Sequence, residues 1–246
     1  MNKKLVIDGE TYRSKSQDFR IRFIILHYTS SDKLRSLDLL TNRDVSCHYL
    51  ITNDKKDPIY RLVDEEKRAW HAGKSSWKTF SDLNDISIGI ELVNKGWISD
   101  QEKSRFEPYS QEQIKKTSFL ILDLIKRYNI EPQNILGHSD VAPQRKKDPG
   151  SLFPWKKLYE DYGIGMWCNF HTEEKIESTF KETNIWRIQQ ELQDFGYNIS
   201  LTNKYDKQTK KVIRAFQYHF RPKKYDGIMD DETYKKLKLL NIKYGK

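Results

Sequence analysis

Residues 20–28, RIRFIILHY, pass from alternation into an unbroken apolar run. A strand reads this way when both of its faces are buried, which calls for a layered sheet rather than a helical bundle. A second run, DISIGIELVN (85–94), sets Ile86, Ile88, Ile90 and Leu92 on one face and Ser87, Gly89 and Glu91 on the other. SCHYLIT (46–52) and PIYRLV (58–63) flank the turn-rich NDKKDP, the pattern of a hairpin. NILGHSD supplies a short strand that ends at His138. Segment 110–128 repeats instead at helical spacing, with Ile114, Ser118, Ile121, Leu124, Ile125 and Tyr128 on one stripe. Ser110 and Gln113 have capping-box spacing at its start. Strands and helices mixed in this way predict an α/β or α+β domain, a central mixed β-sheet flanked by helices.

The pattern changes after about residue 165. GIGMWCNFHTEEKIEST (163–179) holds no sustained period and reads as a connection. From about 184 the stripes are helical: Ile185, Ile188, Leu192 and Phe195, then Val212, Ile213, Phe216 and Phe220, then Tyr234 and Leu237. Asp206 and the Asp230–Asp231 pair stand where N-caps belong. The expected organisation is a domain over 1–165, a linker over 166–182 and a small three-helix domain over 183–246. The helical stripes suffice to close a core, so this last part is expected to fold as a separable unit.

The net charge of +9, from 44 basic and 35 acidic residues, would attract polyanions, but the lysines are scattered and read more simply as a solvated surface. With no clustered basic face, helix-turn-helix or zinc-finger pattern, nucleic acid is not an expected partner. No apolar run approaches the roughly 20 residues of a membrane span, and the opening MNKKLVIDGETYRSKSQDF lacks the hydrophobic segment of a signal peptide. Cys47 and Cys168 form no close-spaced motif and are expected as free thiols.

The chemistry gathers at strand ends. His27 closes FIILH, and His138 closes NILGH at the start of GHSDVAPQRKKDPG (137–150). Strand ends share a rim, so two distant histidines can meet there, with Asp148 folding back across a proline-bearing loop. Two imidazoles, a carboxylate and one open position make a catalytic zinc arrangement. Glu91, on the polar face of its strand, and Lys146, in the same loop as Asp148, can reach that rim. Each residue alone has an ordinary reading: a hydrogen-bonded rim histidine, a surface carboxylate, a solvated lysine, an aspartate opening a turn before proline. Their joint presence favours the metal site.

FIILHYTS, SCHYLI, RAWHAGKSSW, NDISIGIELVN and GHSDVAPQRKKDPG together resemble the zinc-dependent N-acetylmuramoyl-L-alanine amidases of the amidase-2 group. NKGW, FEPYSQEQI and SLFPW resemble its envelope branch, and AFQYHFRPKKYDG resembles a peptidoglycan-binding three-helix module. The resemblance implies hydrolysis of the amide between N-acetylmuramic acid, intact or anhydro, and L-alanine. It places Zn2+ on His27, His138 and Asp148, catalysis on Glu91 and Lys146, and substrate contacts on Trp70, His71, Asn84 and Asn94. Trp70 reads equally as a core tryptophan. Peptidoglycan and muropeptides are the implied partners, with no obligate protein partner. The implied location is the envelope, the periplasm or the exterior, with the cytoplasm as the alternative. Some positions depart from the family. Cys47 stands where phage lysozyme-type amidases carry tyrosine, and Asp148 where they carry a cysteine ligand. Asp82 aligns with an arginine of the anhydro-specific recycling branch, which favours broader action on intact wall fragments. Asp230 replaces a glycine of the helical module. Recognition proteins of the same fold class that only bind would lack a ligand; His27, His138 and Asp148 are all present.

Overall fold

The computed structural model describes residues 7–99, 104–169, 180 and 183–245. In chain order the elements are β1 Phe23–Tyr28, α1 Lys33–Asn42, β2 Tyr49–Ile51, β3 Tyr60–Arg61, β4 Ser76–Trp77, β5 Phe80–Ser81, β6 Ser87–Leu92, β7 Trp97–Ser99 and β8 Ser104–Phe106. They continue with α2 Gln111–Tyr128, β9 Ile135–Gly137, α3 His138–Val141, α4 Trp155–Tyr162, α5 Ile185–Phe195, α6 Lys207–Phe220 and α7 Asp231–Tyr244. The main sheet has the order β3-β2-β6-β1-β9. β2, β6, β1 and β9 run parallel, while β3 pairs antiparallel with β2, so the sheet is mixed as the patterning predicts.

The apolar run of β1 lies at the centre for a physical reason. Phe23, Ile24, Ile25 and Leu26 are fully buried, as are Ile88, Ile90 and Leu92 of β6, and only an interior strand covers both faces at once. The hairpin over 46–63 is present with shorter strands than its apolar runs suggest. The capping box on α2 is half made: the Ser110 side chain accepts from the Gln113 N–H, but the Gln113 amide turns inward. It donates to the carbonyls of Ile51 and Val93 at 3.1 and 3.0 Å, tying α2 to the sheet instead of closing its own cap.

Asn184, Asp206 and Asp230 cap α5, α6 and α7 with their side chains, satisfying backbone donors that a helix start leaves free. The helical stripes do bury, but not as an isolated bundle. Their core is continuous with that of the sheet domain. The fully buried Trp77 of β4 meets Phe195 and Tyr197 edge-on, with ring centroids 5.8 and 5.0 Å apart. Gly196, at φ 136°, lies so close that a Cβ there would come within 2.7 Å of the indole. The N–H of Lys78 donates to the Gly196 carbonyl at 2.8 Å. His219 of α6 stacks on Trp155 of α4 at 3.9 Å. Of the expected linker 166–182, Met166, Trp167 and Cys168 are buried in this shared core, while 170–179, 181 and 182 lie outside the described residues. Cys47 and Cys168 are both buried.

The deepest tie is polar. Asp140, in α3 two residues after His138, is 1% exposed. It accepts hydrogen bonds from Tyr197 Oη at 2.8 Å and from the Gly137 N–H at 2.9 Å. Its Oδ2 also lies 2.8 Å from His219 Nδ1. Two of its three partners come from the helical region. Ending the chain near residue 178 would bare Trp77 and leave a buried carboxylate short of those partners. Each lost partner costs about 1–3 kcal/mol. The truncated protein is therefore expected to melt at a lower temperature. Unchanged melting would show that the helical region is separable after all.

Candidate metal centre and active site

Strand register assembles the site. His27 of β1 pairs with Glu91 of the parallel neighbour β6, so the two side chains leave the sheet on the same face. On the other side of β1, Leu26 pairs with Gly137, the last residue of β9. His138 therefore arrives one step beyond Leu26, next to His27. It opens α3 rather than ending the strand, which turns it back across the rim. Ligands of open α/β sheets characteristically bind at the carboxyl ends of parallel strands.

His27 Nδ1, His138 Nδ1 and Asp148 Oδ2 form a near-equilateral triangle. The edges are 2.9 Å between the histidines, 3.0 Å from His27 to Asp148 and 2.9 Å from His138 to Asp148. All three residues are buried, and they form a His-His-Asp group able to hold a metal ion. Hydrogen bonds alone satisfy such a triangle poorly, because two ring nitrogens face each other as well as one shared oxygen. A small cation with bonds of about 2.0–2.2 Å satisfies all three together.

The rings are oriented from behind. His138 Nε2 meets the Ala72 carbonyl at 2.9 Å, which places its proton there and leaves Nδ1 a lone pair. His27 Nε2 meets His71 Nδ1 at 3.0 Å, and His71 Nε2 meets Ser87 Oγ at 3.2 Å. Ser87 in turn donates to the Leu83 carbonyl. This chain settles one tautomer along its length and again leaves Nδ1 of His27 free. Gly89 makes room for it: a Cβ there would stand 2.4 Å from the His71 ring. Asp148 is held through its neighbour Pro149, whose carbonyl accepts from Tyr109 Oη at 2.7 Å.

Glu91 and Lys146 line the same cleft of about 230 Å³, together with the three candidate ligands, Trp70 and His71. Glu91 Oε2 is buried and has no hydrogen-bond partner among the described residues. Burial, aided by the charge of Asp148, pushes its carboxyl up to about 8, while Lys146 pulls it back down. A cation at the triangle would lower it further. Burial works to raise Asp148 too, but the charges and hydrogen bonds of His138 and His27 outweigh it and hold that carboxyl far below the usual carboxylate range. Burial, reinforced by His138, brings His27 down to about 4 despite the pull of Asp148. Burial, then His27, keeps His71 well below its ordinary value, and burial lowers His48.

These shifts set a pH response. Below about pH 6.5 the unfolded chain takes up protons on His27, His48 and His71 that the folded chain refuses, so stability falls as pH falls toward 4. Each group contributes at most about 1.4 kcal/mol per pH unit. Glu91 acts oppositely, since its raised value favours the folded state at low pH and that contribution is lost as pH rises through about 8. Three histidines outweigh one glutamate. Chelator-treated protein is expected to melt at a lower temperature at pH 5 than at pH 7; an unchanged or higher midpoint would mean that these histidines do not stay neutral.

The structure separates the four expected substrate residues. Trp70 is 52% exposed at the cleft, with the Arg68 guanidinium over its ring at 4.0 Å, so the core alternative is set aside. His71 backs His27 rather than standing only at the substrate side. Asn84 and Asn94 bond to backbone groups. The Asn84 side-chain oxygen accepts from the N–H groups of His71 and Ala72. Asn94 donates to the carbonyls of Glu107 and Pro108 and accepts from the Gly96 N–H. Both are buried braces of backbone and are not among the cleft-lining residues. Cys47 is likewise buried, its thiol donating to the Tyr49 carbonyl. Tyr28, Thr29 and Ser30 line the cleft and were detectable only by adjacency to His27. Asp140, Tyr197 and His219 carried no local signal.

The family model for N-acetylmuramoyl-L-alanine amidases matches residues 17–151, and that for peptidoglycan binding domains matches residues 181–237. The chain belongs to the N-acetylmuramoyl-L-alanine amidase family. The amidase is 40% identical over 236 residues to N-acetylmuramoyl-L-alanine amidase AmiD of Escherichia coli, covering 92% of this chain and 84% of that one. It is also similar to AmpDh3 of Pseudomonas aeruginosa in complex with anhydromuramic pentapeptide, with TM-score 0.90, 39% identity and coverage of 99% of this chain and 100% of that one. A complex of E. coli AmiD with the substrate anhydro-N-acetylmuramic acid-L-Ala-D-gamma-Glu-L-Lys matches with TM-score 0.83 and 37% identity, over 96% of this chain and 94% of that one. No helix among the described residues of the amidase is long and apolar enough to cross a membrane.

Proposed function

We propose that this amidase uses zinc to hydrolyse the amide between the lactyl group of N-acetylmuramic acid, intact or anhydro, and the L-alanine of the stem peptide, in turnover of the cell wall. The observation that carries the reading is the convergence of His27 Nδ1, His138 Nδ1 and Asp148 Oδ2 beside the unpartnered Oε2 of Glu91. His27, His138 and Asp148 would hold Zn2+. Zn2+ held there would supply Lewis acidity, lowering the pKa of a water toward about 7 and polarising the scissile carbonyl. Glu91 takes the proton of the attacking water on Oε2 and returns it to the departing L-alanine nitrogen. Lys146 sets its ammonium toward the carbonyl oxygen and stabilises the negative charge that grows there. Trp70 offers a flat apolar face to sugar or peptide at the cleft. The peptidoglycan-binding region and the similarity to AmiD support action in the cell envelope.

Mass spectrometry of products tests the reading. Purified sacculi should release intact stem peptides beginning with L-alanine, and soluble anhydro-muropeptides should be cut at the same bond. Cleavage between amino acids, or within the glycan, would overturn it.

A further inference from the structure

Beside the catalytic cleft lies a second, smaller cavity of about 120 Å³, walled on one side by the loop 143–147 and on the other by α6. Arg145, Lys146, Lys147, Lys211 and Arg214 line it, with Tyr218. Among the described residues none of these five cations forms an ion pair with a carboxylate, although surface ion pairs are common elsewhere on the chain. Several are held in place by other means. Arg145 donates to the carbonyls of Ala72 and Lys74. Lys211 donates to the Gln144 carbonyl, and Arg214 to that of Asp226 at 3.1 Å. Lys147 rests its ammonium 4.4 Å from the centre of the Trp97 ring.

Cations gathered without direct ion-pair partners repel one another, although Asp148 attracts Arg145 and Glu91 attracts Lys146 at longer range. An anion entering the cavity would relieve that repulsion. Its size suits one small anionic group, not a polymer. Its position is equally specific, because Lys146 lines both this cavity and the cleft that holds Glu91. The cavity and the cleft therefore adjoin across the side chain of Lys146. Two peptide residues span roughly 7 Å, so a carboxylate on the second or third residue of the stem can reach.

We propose that this cavity is a carboxylate subsite, receiving a free carboxylate of the stem peptide whose amide lies at the metal centre. The inference rests on the proposed substrate. Two carboxylates share this chemistry: the free α-carboxylate of a γ-linked D-glutamate at the second position, and the terminal carboxylate of a tripeptide. The inference gives the helical region a part in substrate binding, since Lys211 and Arg214 belong to α6.

The test measures binding to the full-length, zinc-loaded Glu91→Gln protein by calorimetry. The probes are N-acetylmuramoyl-L-Ala-D-γ-Glu-L-Lys and two forms of it, one amidated at the glutamate α-carboxylate and the other at the terminal carboxylate. Charge-assisted hydrogen bonds of this kind are worth about 1.5–3 kcal/mol, so amidation of the carboxylate that occupies the cavity should weaken Kd by about ten-fold or more. Whichever amidation carries the loss identifies the source. In Arg214→Ala and Lys211→Ala backgrounds the loss should shrink several-fold, and Arg214→Lys should restore much of it. A merely structural role would weaken all three ligands alike. The proposal is overturned if neither amidation changes Kd by more than about two-fold, or if the penalty survives both alanine substitutions. Hydrolysis by the wild-type chain is scored separately on the same compounds. A Kd penalty with no cleavage at the muramoyl–alanine bond would leave the subsite standing and reject the proposed reaction.

Discussion

His138→Ala should lose both zinc and turnover. The substitution removes one corner of a triangle whose edges are 2.9–3.0 Å, leaving one imidazole and one carboxylate. Two protein ligands retain zinc poorly, since a catalytic site ordinarily uses three with one position left open. The purified wild type should carry about one zinc per chain, and the variant less than about a tenth of that after dialysis, with activity at background. The ring is also braced by its hydrogen bond to the Ala72 carbonyl, so the comparison should include His138→Asn, which retains polarity at the site. Elemental analysis decides the matter. Full zinc content in His138→Ala would remove this residue from the centre and return the triangle to a hydrogen-bonded cluster.

The second large effect separates chemistry from metal binding. Glu91→Gln preserves size and hydrogen-bonding capacity but cannot accept the proton of an attacking water. Zinc content should stay at about one per chain, and substrate affinity should change little. The turnover number should fall by roughly a hundred-fold or more, the usual worth of a positioned general base. Glu91 is suited to this role because its Oε2 is buried and has no hydrogen-bond partner among the described residues. Near-normal turnover in the variant would place the proton shuttle elsewhere, with His48 or a water relay the next candidates. Loss of zinc would mean instead that Glu91 supports the metal centre.

Much of this protein is legible locally. Backbone groups at helix starts are satisfied within a few residues, so Ser110, Asp206 and Asp230 could be read as caps from sequence and act as caps in the fold. Hydrophobic period is also local, and it located β1, β6 and the helical stripes. The chemical character of His27, His138 and Asp148 likewise follows from residue type and from their motifs.

Pairing and packing were decided at longer range. No periodicity states that β1 lies between β6 and β9, yet that order alone brings His27 beside Glu91 on one side and His138 on the other. A polar side chain does not reveal its partner either: Asn84 and Asn94 look like site residues by motif, but the tertiary structure uses them on backbone groups that burial would otherwise leave unsatisfied. The same limit applies to the helical region. Its stripes read as the core of an independent bundle, whereas Trp77 and Asp140 join it to the turn that carries His138. Composition and motif determined the family and its reactive groups; tertiary structure determined their alignment, because contacts between residues tens of positions apart depend on how whole elements stack.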